Sequence, residues 1–345
     1  MGSIYNYTQE ELKEKFAARS FPAYTAGQVF SWIYDKKAKD FEAMSNLSKE
    51  MREFLEGNFD TARLVLLKTE LSSDKTQKFL FKLKDQATIE SVLIPEKTRN
   101  TICISTQVGC KFRCSFCLSG KSGFRRNLEV SEIINQYLSI LDLIRPKLIT
   151  NIVFMGIGEP LDNFTNTVKA INILGDKKGA NFSKSRITIS TCGLVPQIKQ
   201  LAELNLGVKL SISLHSADDE VRSKLMPINK KYPLKSLISA VKTFAKVSKY
   251  PITFEYTLIE GINSGRRDAQ KLVRLLSGAN AKVNLIPYNL AFSKFTSPSG
   301  DTLNNFTAEL KKKGVFFTLR KPRGQDIQAA CGQLRAEFLK DRGQR

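Results

Sequence analysis

Residues 101–117 read TICISTQVGCKFRCSFC. A short apolar run, TICIST, gives way to a polar turn, and the turn leads into Cys110, Cys114 and Cys117 at C-x₃-C-x₂-C spacing. The run opens a series of strand-like segments: NIVFMG (151–156), RITIST (186–191), VKLSISLH (208–215), ITFEYTLI (252–259), KVNLIPY (282–288) and VFFTLR (315–320). Amphipathic stretches of helical length, such as VSEIINQYLSILDLI and PLKSLISAVKTFAKV, lie between most of them. Such alternation predicts an α/β chain with a parallel sheet and right-handed crossovers. Six or seven units fit a partial or complete β/α barrel, and a doubly wound open sheet is the alternative.

Upstream the rhythm differs. Thr8 and Glu11 form a capping box ahead of ELKEKF, and Thr25 is placed to cap AGQVFSWIY. A third helical segment, KEMREFLEG, is expected to stop with Gly57 at C′. Val29, Trp32 and Ile33 recur at helical spacing, as a small core requires. Residues 1–62 thus read as a helical accessory domain, which the resemblance drawn below would make a candidate RNA-contacting unit. Residues 63–95 read as a short β linker region, with runs KFLFKL (78–83) and TIESVLIP (88–95) around a turn at Asp85. The barrel core is expected over 96–330, followed by a C-terminal segment, 331–345.

The chain has 345 residues, enough for a large core. Its 54 Lys and Arg against 33 Asp and Glu leave a net charge of +21, which favours polyanionic partners. No apolar run approaches the roughly 20 residues of a membrane span. The start MGSIYN lacks the basic and apolar regions of a signal peptide, so the expectation is a cytoplasmic protein with no membrane attachment. In a reducing compartment six cysteines serve metal binding or catalysis rather than a disulfide framework.

Polar signals gather where the strands end. QVGC follows TICIST, GIGEP follows NIVFM, Ser190 closes RITIS, His215 closes KLSISL and Asn289 follows NLIPY. Barrel active sites form at the carboxyl ends of strands, so one shared site is expected there. GIGEP lacks the third glycine of a dinucleotide fingerprint. A structural zinc site would need a fourth Cys or His, and neither a second knuckle nor a nearby histidine follows the triplet. Three thiolates on one loop instead suit three irons of a [4Fe–4S] cluster, leaving the fourth iron open.

CKFRCSFC resembles the signature of the radical S-adenosylmethionine (SAM) superfamily, and GIGEP resembles that superfamily's SAM-contacting motif. The resemblance narrows further to the dual-specificity ribosomal RNA methyltransferases. It is carried by FPAYTAGQVFSWIYDKKAKDFEAMSNLSKEMREFL, VLIPEKTRNTICISTQVGC, MGIGEPLDN, RSKLMPIN and RKPRGQDIQAACGQLR, spread over nearly the whole chain. It implies a partial β/α barrel of the radical SAM type, a [4Fe–4S] cluster on Cys110, Cys114 and Cys117, and two SAM molecules per turnover. It implies SAM contacts at Gly158, Glu159, Ser190, Ser213, Leu214, His215 and Asn289.

The activity implied is methylation of C2 of adenine-2503 in 23S rRNA, with adenine-37 of some tRNAs as a second target. Cys331 would carry the methyl group as S-methylcysteine, and Cys103 would resolve the RNA–protein link through a transient disulfide. Glu90 would accept the ring proton. A permanent Cys103–Cys331 disulfide would add ~5 kcal/mol by loop-closure entropy, but a glutathione-poised cytosol opposes it. Cys192 has no assigned part.

Two rivals remain at this level. One is the C8-methyltransferase of the same adenine, which confers antibiotic resistance; Pro160 favours the C2 reading. The other is a non-catalytic basic RNA-binding protein with a structural metal. Protein-free 23S rRNA or an early assembly intermediate is the expected substrate, since the adenine must leave its stack to enter a pocket. A flavodoxin or ferredoxin is the expected electron donor, and the protein is expected to be a monomer. Arg125–Arg126, Lys311–Lys313 and Arg320–Arg323 are the candidate phosphate-binding clusters.

Overall fold

Sheet order separates the two architectures. The computed structural model describes residues 1–289 and 295–334; Arg335 and the remainder of the 331–345 segment lie outside the described residues. Its main sheet has ten strands. They are β1 Val65–Leu71, β2 Gln77–Lys82, β3 Thr88–Pro95, β4 Asn100–Cys103 and β5 Asn151–Phe154. The rest are β6 Ile187–Thr191, β7 Lys209–Ser213, β8 Ile252–Leu258, β9 Ala281–Pro287 and β10 Phe317–Leu319. From β4 to β10 all run parallel, each beside its predecessor. A doubly wound sheet reverses its order at a switch point. This one never reverses, and its ends β1 and β10 do not meet, so it is a partial barrel.

The seven strands expected from TICIST onward are all present, within a few residues at their ends. β1, β2 and β3 extend the sheet as an antiparallel meander joined to β4. β2 and β3 correspond to KFLFKL and TIESVLIP. β1 lacks a sequence signal because every residue except Glu70 is exposed, which leaves no in–out alternation to read.

The accessory helices are Gln9–Ala17, Thr25–Phe30 and Lys49–Asn58. The Thr8–Glu11 capping box forms as expected. Two details differ. Thr25 does not cap: Tyr24 is the N-cap and Thr25, buried, is the first helical residue. Gly57 does not end its helix, which continues through Asn58 to a C-cap at Phe59. Nothing lies within 4 Å of where a Gly57 Cβ would stand, and no tight turn requires this glycine.

The helices share one apolar core with the barrel; Phe16, Phe30 and Leu55 belong to the same buried cluster as Ile133, Leu138 and Ile171. Polar ties reinforce the junction. Lys169 Nζ lies 2.6 Å from Glu11 Oε1, and the Ser131 N–H donates to Asn6 Oδ1 at 2.8 Å.

Candidate active site

The carboxyl ends of β4–β9 surround a cavity of about 160 Å³. Cys110, Cys114 and Cys117 line it together with Gly158, Glu159, Ser190, Ser213, His215, Asn289 and Cys331. The sequence analysis named all of these. Leu214 is not in the wall; it is fully buried in the core beneath. Nor is Glu90, which sits buried on β3 with Oε1 3.4 Å from Lys78 Nζ.

Close backbone approach shapes the floor. A Cβ on Gly156 would stand 2.7 Å from the Ile104 carbonyl group, and Gly158, at φ +99°, packs against Gln107. The cysteine loop closes in the same way, with the Cys110 N–H donating to the Gly123 carbonyl at 2.8 Å. Glu159 links two strand ends. Its Oε1 accepts from the Leu161 N–H at 3.1 Å and its Oε2 from the Cys192 N–H at 2.7 Å. Burial nonetheless pushes this carboxyl upward.

Desolvation also raises two thiols of the triplet. Burial pushes the Cys110 thiol up to about 12 and raises the Cys114 thiol well above its usual value, with Cys117 and Cys110 adding to the rise at Cys114. Three thiols share one wall, and two of them are penalised for their charge, which calls for a cation to compensate them. Among the described residues no three His, Cys, Asp or Glu side chains converge on a single ion. A cluster fits this donor set, because each of its irons takes one thiolate. All six cysteines are free thiols.

The chain's far end completes the wall. The Leu118 N–H donates to the Gly332 carbonyl at 2.8 Å, and Ser119 Oγ donates to the Leu334 carbonyl at 2.7 Å. At the other end of the segment, the Gly324 N–H donates to Asp74 Oδ2 at 3.1 Å, and Ser72 Oγ donates to Asp326 Oδ1. Cys331 is thereby held beside the cysteine loop with solvent access from the cavity. Desolvation there raises its thiol, opposed by Arg320. Behind it, Cys103 is buried in a small cluster with Val92, Ile157, Ala329 and Leu334. Burial raises the Cys103 thiol strongly, and the charge of Cys331 adds to that rise.

His215 has φ +55°, a strained value for a histidine, and its surroundings over-determine it. Its Nδ1 accepts the Thr257 N–H at 3.0 Å, its carbonyl accepts from Asn263 Nδ2, and its ring lies 4.6 Å from that of Phe116. Burial, with Arg222 adding, lowers its pKa to about 3. The folded ring therefore stays neutral while the unfolded chain protonates below about 6.5. This contribution to stability is complete above pH ~6.5 and is lost as pH falls toward about 3, at about 1.4 kcal/mol per unit. Denaturant titrations between pH ~7.5 and ~5 should show that loss, and His215→Asn should flatten it. An equal slope in the variant would refute the buried neutral ring.

Sequence reasoning passed over Glu255. This buried β8 carboxylate lines the cavity, accepting from Ser211 Oγ and Asn284 Nδ2 at 2.9 Å through Oε1. Its Oε2 has no partner. In ITFEYTLI it is a charge in an otherwise apolar-rich run, and a charge in a central strand was the available signal. Cys192 also lines the cavity.

Residues 104–275 match the family model of the radical SAM superfamily, and residues 3–60 match that of the ribosomal RNA large subunit methyltransferase N-terminal domain. The dual-specificity RNA methyltransferase RlmN of a Nitratiruptor species is 46% identical over 97% of this chain and 98% of its own length. That of Wolinella succinogenes is 42% identical over 99% and 98%. This chain belongs to the RlmN family. A crystal structure of a radical SAM methyltransferase from Sphaerobacter thermophilus superposes with a TM-score of 0.92 at 41% identity, covering 98% of this chain and all of that one. The protein is thus a radical SAM RNA methyltransferase, and membership implies SAM and a [4Fe–4S] cluster as its cofactors. Within an RlmN fold, Cys110, Cys114 and Cys117 would hold the cluster, which when reduced supplies a carbon radical from SAM. No helix among the described residues is long and apolar enough to cross a membrane.

Proposed function

We propose that the protein methylates C2 of adenine-2503 in 23S rRNA, and of adenine-37 in some tRNAs, using two SAM molecules per turnover. The observation that carries this reading is the docking of the Cys331 segment between the cysteine loop and Cys103. The Cys331 thiolate takes the methyl group of a first SAM, releasing S-adenosylhomocysteine. Loss of one hydrogen atom from that S-methyl group, to the deoxyadenosyl radical that the second SAM would supply, leaves a carbon radical that adds to electron-poor C2, where ordinary electrophilic methylation fails. Glu90 accepts the ring proton, and one electron leaves the adduct, for which the oxidised cluster that Cys110, Cys114 and Cys117 would hold is the acceptor. Cys103 then attacks the Cys331 sulfur: the S–S bond forms, the S–C bond breaks, and the released carbon takes a proton to become the methyl group.

In this reading residues 1–62 form an accessory unit that touches RNA, residues 63–95 present Glu90, and residues 96–330 form the catalytic core. Gly158, Glu159, Ser190, Ser213, His215, Asn289 and the backbone at Leu214 serve SAM. The substrate is protein-free rRNA or an early assembly intermediate, a flavodoxin or ferredoxin delivers electrons, and the enzyme works as a cytoplasmic monomer.

Mass spectrometry of 23S rRNA fragments deuterated at adenine C2 or C8 tests the assignment. Methylation at one adenine with loss of the C2 label is expected; loss of the C8 label, or no methylation, overturns it. Cys331→Ala should abolish methylation while SAM cleavage persists. Cys103→Ala should accumulate a covalent RNA–protein species, and clean turnover by that variant would remove Cys103 from the mechanism.

A further inference from the structure

The cavity is not the largest concavity in the molecule. A groove of about 1130 Å³ lies at the opposite end of the sheet. Ile149 and Thr150, directly before β5, and Ser183, Ser185 and Arg186, directly before β6, form its floor, so it faces the amino ends of the strands. The active-site cavity opens at the carboxyl ends of the same strands. One wall comes from helix Thr25–Phe30 and the turn after it, the other from residues 177–183. Gly27 and Gly179 let these walls approach: a Cβ on Gly27 would meet Lys178 at 3.3 Å, and one on Gly179 would meet Phe30 at 3.1 Å.

The groove is chemically distinctive. Lys36, Lys37, Lys177, Lys178 and Arg186 line it against a single acid, Asp35. No ion pair among the described residues uses any of these cations. By contrast, Arg126 of the sequence-predicted cluster Arg125–Arg126 is bound by Asp85 and Glu132 at 2.8 and 2.7 Å. Aromatic faces interleave with the charges. Tyr24 is 67% exposed, Trp32 carries Lys36 Nζ 3.6 Å above its ring, and the buried Tyr34 has a hydroxyl with no partner. Cations for phosphates beside rings for bases are the composition of a single-stranded nucleic-acid platform. A membrane surface would want an apolar rim, and here Leu148 is the one exposed aliphatic in the lining.

We propose that this groove binds a second, unpaired stretch of the RNA substrate, stacking a base on the exposed Tyr24 and holding phosphates with Lys177, Lys178 and Arg186. The RNA is then gripped at both ends of the barrel, and only substrates long enough to reach round gain from it. The identity of the RNA rests on the function proposed above; the groove itself does not.

The test uses the holoenzyme with two substrates, a long 23S rRNA fragment and a minimal hairpin carrying the target adenine. The variant is Tyr24→Ala with Lys177→Glu, Lys178→Glu and Arg186→Glu, all at exposed positions. The expected result is a KM for the long RNA raised at least tenfold, with kcat and the hairpin KM unchanged. Fluorescence anisotropy of the labelled long RNA should show the salt slope falling by about 2, at ~0.7 per lost phosphate contact. A triple reversal of the exposed Lys242, Lys246 and Lys249, which lie outside the groove and every candidate phosphate-binding cluster, serves as the control for net charge. An unchanged long-RNA KM, an equal loss on the hairpin, or an equal loss in the control overturns the proposal. So does a loss seen only when ribosomal proteins coat the RNA, which would assign the groove to an acidic protein. If the parent methylates no RNA at either carbon, the proposed function fails, while anisotropy still reports on the groove.

Discussion

Arg222→Met should lower stability by about 3–5 kcal/mol, the cost of leaving several buried oxygens without their donor. Arg222 is fully buried on helix Asp219–Leu225. Its Nε donates to the Leu214 carbonyl at 3.1 Å, and one terminal nitrogen donates to Asn229 Oδ1 at 2.7 Å. The other donates to the carbonyls of Cys192 and Ser213, at 2.8 and 3.2 Å. One side chain thus ties together the ends of β6 and β7 directly under the cavity. Replacing a buried ion pair with apolar residues is sometimes neutral, because both charges leave together. Arg222 has no carboxylate partner in this network, so its removal takes the donor from Asn229 Oδ1 and the Cys192 and Ser213 carbonyls in a dry interior, at ~1–3 kcal/mol each if unrelaxed. The Leu214 carbonyl keeps the Ser216 N–H. At ~2 cal/mol/K per residue, the loss corresponds to a melting point about 4–7 °C lower. Lys224→Met on the same helix is the contrast, since Lys224 holds only an exposed pair with Glu220 and should cost under ~0.5 kcal/mol. A melting point for Arg222→Met within a degree of the parent would show that the network does not hold the site together.

Cys114→Ala should remove the visible absorbance of the cluster, reductive SAM cleavage and RNA methylation together, with activity falling at least ~10³-fold if the radical route is the sole one. Burial raises the Cys110 and Cys114 thiols, and neighbouring loop cysteines add to the rise, so without metal these two are held neutral. Iron binding must expel those protons and supply the missing positive charge, which two thiols cannot anchor as three do. Cys192 makes the experiment discriminating. It lines the same cavity and is itself raised by burial and by Glu159. If the C-x₃-C-x₂-C loop alone is the ligand set, Cys192→Ala keeps its iron and its colour. An iron content that falls in Cys192→Ala and survives in Cys114→Ala would reassign the ligands.

Much of this site could be read locally. The three cysteines sit within eight residues, so the loop that carries them needs no distant partner to bring them near one another. Glycines at 156 and 158 mark close backbone approach, and the packing against Ile104 and Gln107 explains why a side chain is excluded. Local signals misled where context outweighed propensity. Thr25 has a capping side chain but is buried inside the first turn, and Gly57 could end a helix but nothing requires it to. Leu214 lies in the motif that supplies Ser213 and His215, yet strand alternation sends its side chain into the core between them.

The sequence by itself determined the thiol spacing, the alternation of strands and helices, and the motifs at the strand ends, all short-range features. The strand order that separates a barrel from a doubly wound sheet came from the tertiary structure. Tertiary structure alone decided what meets across the chain. It docks Cys331 against the cysteine loop and Cys103, aims Glu255 into the same cavity, and folds residues 24–37 against 177–186 to make the basic groove. Periodicity reports which face of an element is buried, whereas the partner of that face is fixed by packing among elements far apart in sequence, and no local pattern encodes it.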